Sequence, residues 1–193
     1  MRALTADILR KLLRYEPETG HLFWRHRSEE FTVSGANSVT QETRRWNSRH
    51  AGRPALTSPH PTKGYLTGCV LSVPIKAHIA AWAIFHGVWP AGIVDHRNRN
   101  TADNWIKNLR LASAGENARN RRAHRGSASG LKGVAPYRDK WKAVITVNGR
   151  FVYLGLFATK EAAAAAYDCA ALEMHGSFAA TNQSLGLLKG ETL

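Results

Sequence analysis

Residues 94–120, VDHRNRNTADNWIKNLRLASAGENARN, set an Asp-His pair behind one apolar residue, Val94, in a segment crowded with arginine. Asn108 follows Asp95 by thirteen positions, and Asn117 follows Asn108 by nine. Asparagine is a weak helix and strand former, so scattered Asn usually marks turns and caps. Asp, His and Asn are also the groups that hold a hard metal ion and activate a water. The local pattern predicts a strand ending at Asp95-His96, a loop, a second short strand in NLRLAS, and a helix capped by Ser113 that runs through AGENARNRRAH. In such a unit a carboxylate from Asp95 and an amide oxygen from Asn117 form a sparse, hard ligand pair. Mg²⁺ accepts such a pair because it keeps waters and takes further oxygens from phosphate. A neutral His96 beside the metal is suited to take a proton from an attacking water. Asn108 would fix the loop and orient that histidine. The plain alternative is that Asp-His is a common dipeptide and that Asn104, Asn108, Asn117 and Asn120 are turn and cap residues.

The 193-residue chain has room for one or two small domains, and 44% apolar content supports real cores. Its 27 Lys and Arg against 14 Asp and Glu give a formal charge of +13. Such a surplus repels itself in a compact fold and usually has an anionic partner. Arg-rich stretches interleaved with Trp and Tyr make nucleic acid the leading candidate. No apolar run approaches ~20 residues, so no helix is expected to span a bilayer. The N-terminus, MRALTADILRKLLRYEPETG, does not read as a signal peptide. Cys69 and Cys169 are too few for a four-cysteine zinc site. These features predict a protein that is not secreted, working in a reducing, cytoplasmic compartment.

Upstream, Thr5 reads as an N-cap, and Leu4, Ile8, Leu9, Leu12 and Leu13 recur at helical spacing, predicting a helix over 6–15 ended by Pro17 and Gly20. HLFWR reads as a strand. Residues 28–62 are rich in Ser, Thr, Asn, Gly and Pro and read as a long loop. Tyr65 to Val73 reads as strand with a turn. Ala77 to His86 reads as a helix burying Ile79, Ala80, Trp82, Ala83 and Phe85, stopped by Gly87. From Arg110 to Arg125, five Arg and one acid suggest a basic arm, and GSASG at 126–130 suggests a flexible break. Phosphate contact suits the arm because Arg binds phosphate bidentately.

Asp95-His96, Asp103-Asn104, Asn108-Leu109-Arg110 and Glu116-Asn117 together resemble the HNH nucleases of phages and intron homing elements. The resemblance covers about residues 63–122. It implies that Asp95 and Asn117 bind a divalent metal, with Mg²⁺ first and Mn²⁺ as the alternative. It further implies that His96 is the general base and Asn108 its positioning partner. Upstream, AHIAAW is similar to the family's histidine-bearing helix, with His78 in the histidine place and Ile79 where Arg is usual. His78 reads as structural or as a group near the site. DHRNRN departs from the family's pattern, with Arg97 at an apolar position and Arg99 at a glycine. Asn120 and His124, further along the helix, read as phosphate-contacting or exposed.

From Leu131 onward, Trp141, Ala143, Ile145 and Val147 alternate with Lys142, Val144 and Thr146, and Asn148-Gly149 is a two-residue hairpin signal. That register opposes Thr146 to Phe151 and Val144 to Tyr153 on one face. Trp141, Ala143, Ile145, Val152 and Leu154 take the other face. Thr159 caps an Ala-rich helix whose face carries Ala163, Tyr167, Ala170 and Met174, and Gly176 ends it. Residues 129–182 resemble the APETALA-two/ethylene-response-factor DNA-binding domain of plants in the GV, W-x-A-x-I, YLG-x-F, AA-x-AYD-x-AA and HG-x-x-A-x-x-N elements. The resemblance implies a sheet face that meets duplex DNA, here with Lys132, Tyr137, Arg138, Lys140, Lys142, Thr146, Arg150, Phe151 and Tyr153. Several of the plant domain's base-reading arginines are absent. Arg119, Arg121, Arg122 and Arg125 of the arm would add phosphate contacts.

The expectation is an α+β chain: an HNH ββα-metal nuclease module followed by a three-stranded antiparallel sheet packed on one helix. The expected boundaries are 1–62 for an N-terminal region of unassigned role, 63–125 for the nuclease module with its arm, 126–130 for a linker, 131–182 for the DNA-binding domain, and 183–193 for a tail. The expected activity is site-directed hydrolysis of double-stranded DNA without a small-molecule cofactor or a membrane. The sequence leaves the oligomeric state and the target site open. The competing expectation is a DNA-binding regulator with an inactive centre.

Overall fold

The computed structural model describes residues 3–32, 38–120 and 127–188. The fold is α+β and divides into two compact units, 1–111 and 112–193.

In the first unit, α1 (Ala6–Leu12) starts at Thr5, whose side chain accepts a hydrogen bond from the Ile8 amide. It ends three residues earlier than its apolar spacing predicts, because Leu13–Tyr15 pairs as strand β1 with β2 (Leu22–Trp24). Leu13 and Tyr15 point inward and Arg14 outward, so the period of two overrides the helical period there. Residues 28–62 are not one long loop. They hold a 3₁₀ turn at Glu29–Phe31, α2 (Val39–His50) and the short β3 (Ser58–Pro59). Ser38 and Gln41 close a capping box that starts α2, satisfying helix amides that would otherwise lack partners.

β4 (Leu66–Val70) and β5 (Val73–Lys76) form a hairpin, with β3 on the outer edge of β4. The next element is α3 (Ala77–His86), ended by Gly87 in the left-handed conformation at φ 76°. Leu9, Leu12 and Leu13 are fully buried in one core with Ala77, Ala80, Ala81 and Ala83 of α3. Arg10 donates through Nε to the Ile84 carbonyl at 2.8 Å, satisfying the open end of α3. Phe85, expected inside, is 47% exposed, while His78 takes a buried place on the helix. The unit closes with β6 (Ile93–His96), which pairs with β7 (Leu109–Ala112).

In the second unit, α4 (Ala114–Arg119) opens on a capping box made by Ser113 and Glu116. Asn120, read as phosphate-contacting or exposed, caps its far end and is buried. His124 and Arg121, Arg122 and Arg125 lie outside the described residues. Ser127 to Gly130, expected as a flexible break, is a hydrogen-bonded turn: Ser129 Oγ donates to the Val134 carbonyl at 2.6 Å and accepts from the Leu131 amide at 3.1 Å.

The sheet β8 (Val134–Tyr137), β9 (Lys140–Val147) and β10 (Arg150–Phe157) is antiparallel, with β9 in the centre. Its register matches the sequence reading, with Phe151 opposite Thr146 and Tyr153 opposite Val144. A bulge at Leu154 then shifts the pairing to Gly155 opposite Ala143. Helix α5 (Lys160–His175) packs Ala163, Ala164, Tyr167, Ala170 and Ala171 against the sheet. Alanine lets the helix approach closely. Met174, expected on that face, is 39% exposed, and His175 is buried instead, 3.0 Å from the Thr146 carbonyl. Asn182 is fully buried and joins the chain ends of the unit, accepting from the Lys132 amide at 2.6 Å and donating to Asp168 at 2.9 Å.

Candidate active site and nucleic-acid interface

The last three residues of β6, Val94, Asp95 and His96, are all buried. The loop that follows is built from asparagine side chains. Asn98 donates to Asp103 Oδ2 at 2.7 Å and accepts from the Asn100 amide at 2.9 Å, and Asn100 accepts from the Ala102 amide. Asn108, at the end of the loop, accepts from the Asn98 amide at 3.0 Å and donates to the Asp103 carbonyl at 2.7 Å. Asn108 therefore fixes the loop backbone. Arg99, at the glycine position of the resemblance, takes the left-handed conformation at φ 64°. The loop keeps a glycine-like shape there despite the substitution, at a cost of about 1–2 kcal/mol.

The direct hydrogen bond to the His96 ring comes from Asn104. Its Oδ1 lies 3.1 Å from His96 Nε2, and both residues are buried. A carboxamide oxygen only accepts, so Nε2 carries the proton, and the lone pair of the neutral ring resides on Nδ1. Asn104 is itself held from the N-terminal hairpin: the Tyr15 hydroxyl donates to its carbonyl at 2.7 Å. Burial pushes the His96 ring below the ordinary histidine value. The Asn104 hydrogen bond and the Asp95 and Asp103 carboxylates act in the opposite sense.

Two further rings enclose His96. His78 meets it edge-on with ring centroids 5.0 Å apart, and Tyr65 lies 4.9 Å from His78 and 5.9 Å from His96. His78 is pushed down to about 3, first by burial and then by His96 and Lys76, and its Nδ1 is buried without a hydrogen-bond partner. His78 is thus a neutral ring at neutral pH, part of the wall around His96.

Asp95 is ion-paired. Arg110 Nε and Nη2 approach Asp95 Oδ2 at 3.0 and 2.9 Å, with both side chains buried. Arg110 belongs to β7 and not to a basic arm. The sequence held no signal for this pairing beyond the alternation of LRLA. A carboxylate has two oxygens and about four acceptor directions, so a paired Asp95 keeps the donor chemistry that a hard cation needs. Asn117, the other expected ligand, stands half-buried on α4 in the second unit.

On the sheet of the second unit, Phe151 is 82% exposed, Tyr153 60% and Tyr137 45%. Arg138, Lys140, Thr146 and Arg150 are exposed, and Lys142 is half-buried. Two of the expected contacts are engaged elsewhere. Lys132 Nζ donates to the Arg119 carbonyl, and Arg119 Nη2 donates to Asn148 Oδ1 at 3.3 Å. The first bond ties α4 to the segment before β8, and the second ties it to the β9–β10 turn.

Residues 76–119 match the sequence model of the HNH endonuclease family. That segment contains Asp95, His96, Asn104, Asn108, Arg110 and Asn117. The chain is 33% identical over 78 residues to Protein 3.8 of Escherichia phage T7, covering 39% of this chain and 64% of that protein. It is 35% identical over 102 residues to an uncharacterized HNH endonuclease of Acanthamoeba polyphaga mimivirus, covering 52% of each. It is 36% identical over 93 residues to an ethylene-responsive transcription factor of Arabidopsis thaliana, covering 46% of this chain and 20% of that protein, with the likeness in the C-terminal region. The chain thus spans less than two thirds of each of these relatives. The matches support an HNH nuclease segment followed by an APETALA-two-type segment. Among the described residues, no helix is long and apolar enough to cross a membrane.

Proposed function

We propose that this chain is a metal-dependent, site-directed endonuclease of the homing type that hydrolyses phosphodiester bonds in double-stranded DNA. The observation that carries the reading is the buried His96 imidazole, held through Nε2 by Asn104 beside Asp95, inside the segment that matches the HNH model. In the proposed reaction His96 Nδ1 takes a proton from the attacking water while Nε2–H stays anchored on Asn104. Asn108 keeps the loop shape that places the pair. Asp95 would hold the divalent ion, Mg²⁺ or Mn²⁺. Asn117 joins Asp95 in this proposal on its position in the motif alone. When bound, the ion supplies charge stabilisation at the scissile phosphate and the leaving oxygen. The exposed aromatic and basic residues of the β8-β9-β10 sheet would hold the duplex and select the site. Two free, exposed cysteines suit a reducing, cytoplasmic setting.

A second reading has one observation in its favour. Asp95 spends one oxygen on a buried guanidinium, as in a centre that has become structural. That reading is a DNA-binding regulator that does not cut.

One experiment separates them. Supercoiled plasmid or host genomic DNA is incubated with the protein and with His96→Ala, each with Mg²⁺ or with EDTA. Cutting by the unaltered protein alone, abolished by EDTA and by the substitution, supports the nuclease. Retention of DNA in a gel shift with no cutting under any metal supports the regulator.

A further inference from the structure

Helix α2 lies outside the segment matched to the HNH model and takes no part in the site described above. It divides sharply into two faces. Its inner face is anchored by Trp46, whose ring meets the edge of Trp24 at 5.4 Å and carries the Arg27 guanidinium at 3.9 Å. Asn47 accepts from the Arg27 amide at 2.7 Å and donates to the Arg27 carbonyl at 3.0 Å. Thr43 Oγ1 lies 2.8 Å from Thr32 Oγ1. These contacts fix the rotation of the helix about its axis.

The outer face carries Gln41, Arg44, Arg45, Ser48 and Arg49, all exposed, with no acid among them. A surface helix that is polar all round usually draws support from opposite-charge pairs at four-residue spacing. Here Arg45 and Arg49 stand at that spacing with like charge, which costs a few tenths of a kcal/mol. Arg53 extends the basic surface beyond the helix end. Among the described residues, none of these four arginine side chains makes a hydrogen bond or ion pair. The positive field is felt by His50, which is pushed below the ordinary histidine value by burial and then by Arg49, Arg27 and Arg53. A face fixed in rotation, whose exposed charges are all positive, with the half-buried Glu42 at its edge, is complementary to a row of phosphates. Arg45 and Arg49 are separated by about 6 Å of helix rise, and DNA presents a charge every ~3.4 Å along each strand.

We infer that the outer face of α2, through Arg44, Arg45 and Arg49, docks on the sugar-phosphate backbone of duplex DNA. The inference rests on the nuclease reading for its choice of partner. The surface adds sequence-independent grip, since arginine-to-phosphate contacts position a protein without reading bases. The seat of Trp24, Trp46 and Arg27 keeps Arg44, Arg45 and Arg49 on the exposed side of the helix.

The test compares three full-length proteins: the unaltered chain, Arg44→Ala/Arg45→Ala/Arg49→Ala, and a charge-matched control, Lys11→Ala/Arg14→Ala/Lys160→Ala. Binding to a labelled 40-base-pair duplex of arbitrary sequence is measured by fluorescence anisotropy from 50 to 300 mM salt. Thermal melts confirm that all three fold. The α2 variant should bind about 10-fold or more weakly at 0.15 M salt, with a log–log salt slope shallower by about 3, from roughly 0.9 per lost phosphate contact. The control should stay within about 3-fold of the unaltered chain. Equal affinity and slope for the α2 variant and the control overturn the α2 inference alone. Failure of the unaltered chain to bind duplex DNA even at 50 mM salt overturns this inference and the nuclease reading together. An equal loss on a 40-base-pair RNA duplex, with equal starting affinity, overturns the assignment to DNA.

Discussion

Asn104 Oδ1 and His96 Nε2 are 3.1 Å apart, with both side chains buried, and that contact fixes which imidazole nitrogen carries the proton. The carboxamide oxygen offers only a lone pair, so the tautomer with Nε2–H is the one it stabilises. Replacing Asn104 by Ala removes this selection and leaves a buried N–H without its partner. Cleavage should fall by about 10–100-fold, the usual range for residues that orient a catalytic ligand or base. Asn104→Asp keeps an acceptor at the same place and should retain much more activity than Ala. The measurement is the single-turnover nicking rate of each variant. An Ala variant that nicks at the unaltered rate while His96→Ala is dead would sink this role.

The grip on Asn104 begins far away in sequence. A Cβ at Gly20 would lie 2.5 Å from the Asn104 carbonyl carbon and 2.5 Å from the Trp105 nitrogen, and Gly20 has φ 78°. Gly20→Ala therefore strains the turn and pushes on the backbone that carries the His96 partner. We expect a loss of about 2–4 kcal/mol in urea denaturation, combining the φ penalty with overpacking against rigid backbone. Cleavage should fall further than the folded fraction explains. Full stability in Gly20→Ala would show that the hairpin yields easily.

Arg110 makes the opposite kind of contact, a charge facing a charge. Side-chain exposures of 6% and 9% for Arg110 and Asp95 put the pair beyond easy hydration. Arg110→Met takes the guanidinium partner from a buried carboxylate, a change that typically costs about 3–5 kcal/mol. The check is the chemical denaturation midpoint. A shift under 1 kcal/mol would mean that water already reaches Asp95.

These contacts mark where the sequence was legible. Short-period features were readable: the hairpin register at Asn148-Gly149, the Thr5 and Ser113 caps, and the Asp-His pair at a strand end. Two kinds of feature were not. Where two periodicities overlap, as at Leu13–Tyr15, the partner strand decides between helix and strand, and the partner is set by tertiary packing. Where several residues of one type compete, spacing does not assign partners, so Asn104 took the imidazole and Asn108 took the loop. Helix α2 is an instructive omission. Its Ser38-Val39-Thr40-Gln41 start is a capping-box pattern, but its polar residues look like loop because it is anchored by Trp46 and asparagine contacts and not by an apolar stripe. The Asp95–Arg110 pair needed the strand pairing before it became visible.

The His78 ring gives the first unit a pH signature. In the fold it holds a proton only near pH 3, while an unfolded histidine takes one near 6.5. Between those values the unfolded chain binds one proton more than the native chain. Stability is therefore intact above pH 6.5 and falls as pH falls toward 3, by about 1.4 kcal/mol per unit for this group. His96 is shifted in the same direction. His78→Phe should lose about 2 kcal/mol less than the unaltered chain between pH 7 and pH 5 in urea titrations. Parallel stability curves for the two proteins would show that His78 is reached by water or a proton in the native state.

On the second unit, the decisive contrast is between the two faces of one hairpin. Phe151 and Tyr153 stand 82% and 60% exposed, while Ile145, one position along the strand from Thr146, is buried at 2%. Exposed side chains away from special features change stability by under about 0.5 kcal/mol when replaced, whereas a buried Ile→Ala costs about 2–5 kcal/mol. Phe151→Ala/Tyr153→Ala should therefore melt like the unaltered protein, and Ile145→Ala should melt well below it. If the sheet face docks on duplex DNA, the double aromatic variant should also bind a labelled duplex about 10-fold more weakly, since aromatic residues concentrate interface energy. Because neither residue carries charge, this loss should leave the salt slope unchanged. A loss of affinity at constant slope thus reports apolar contact with the duplex. Undiminished affinity would return Phe151 and Tyr153 to the status of ordinary surface residues, leaving the duplex to be held by charged groups alone.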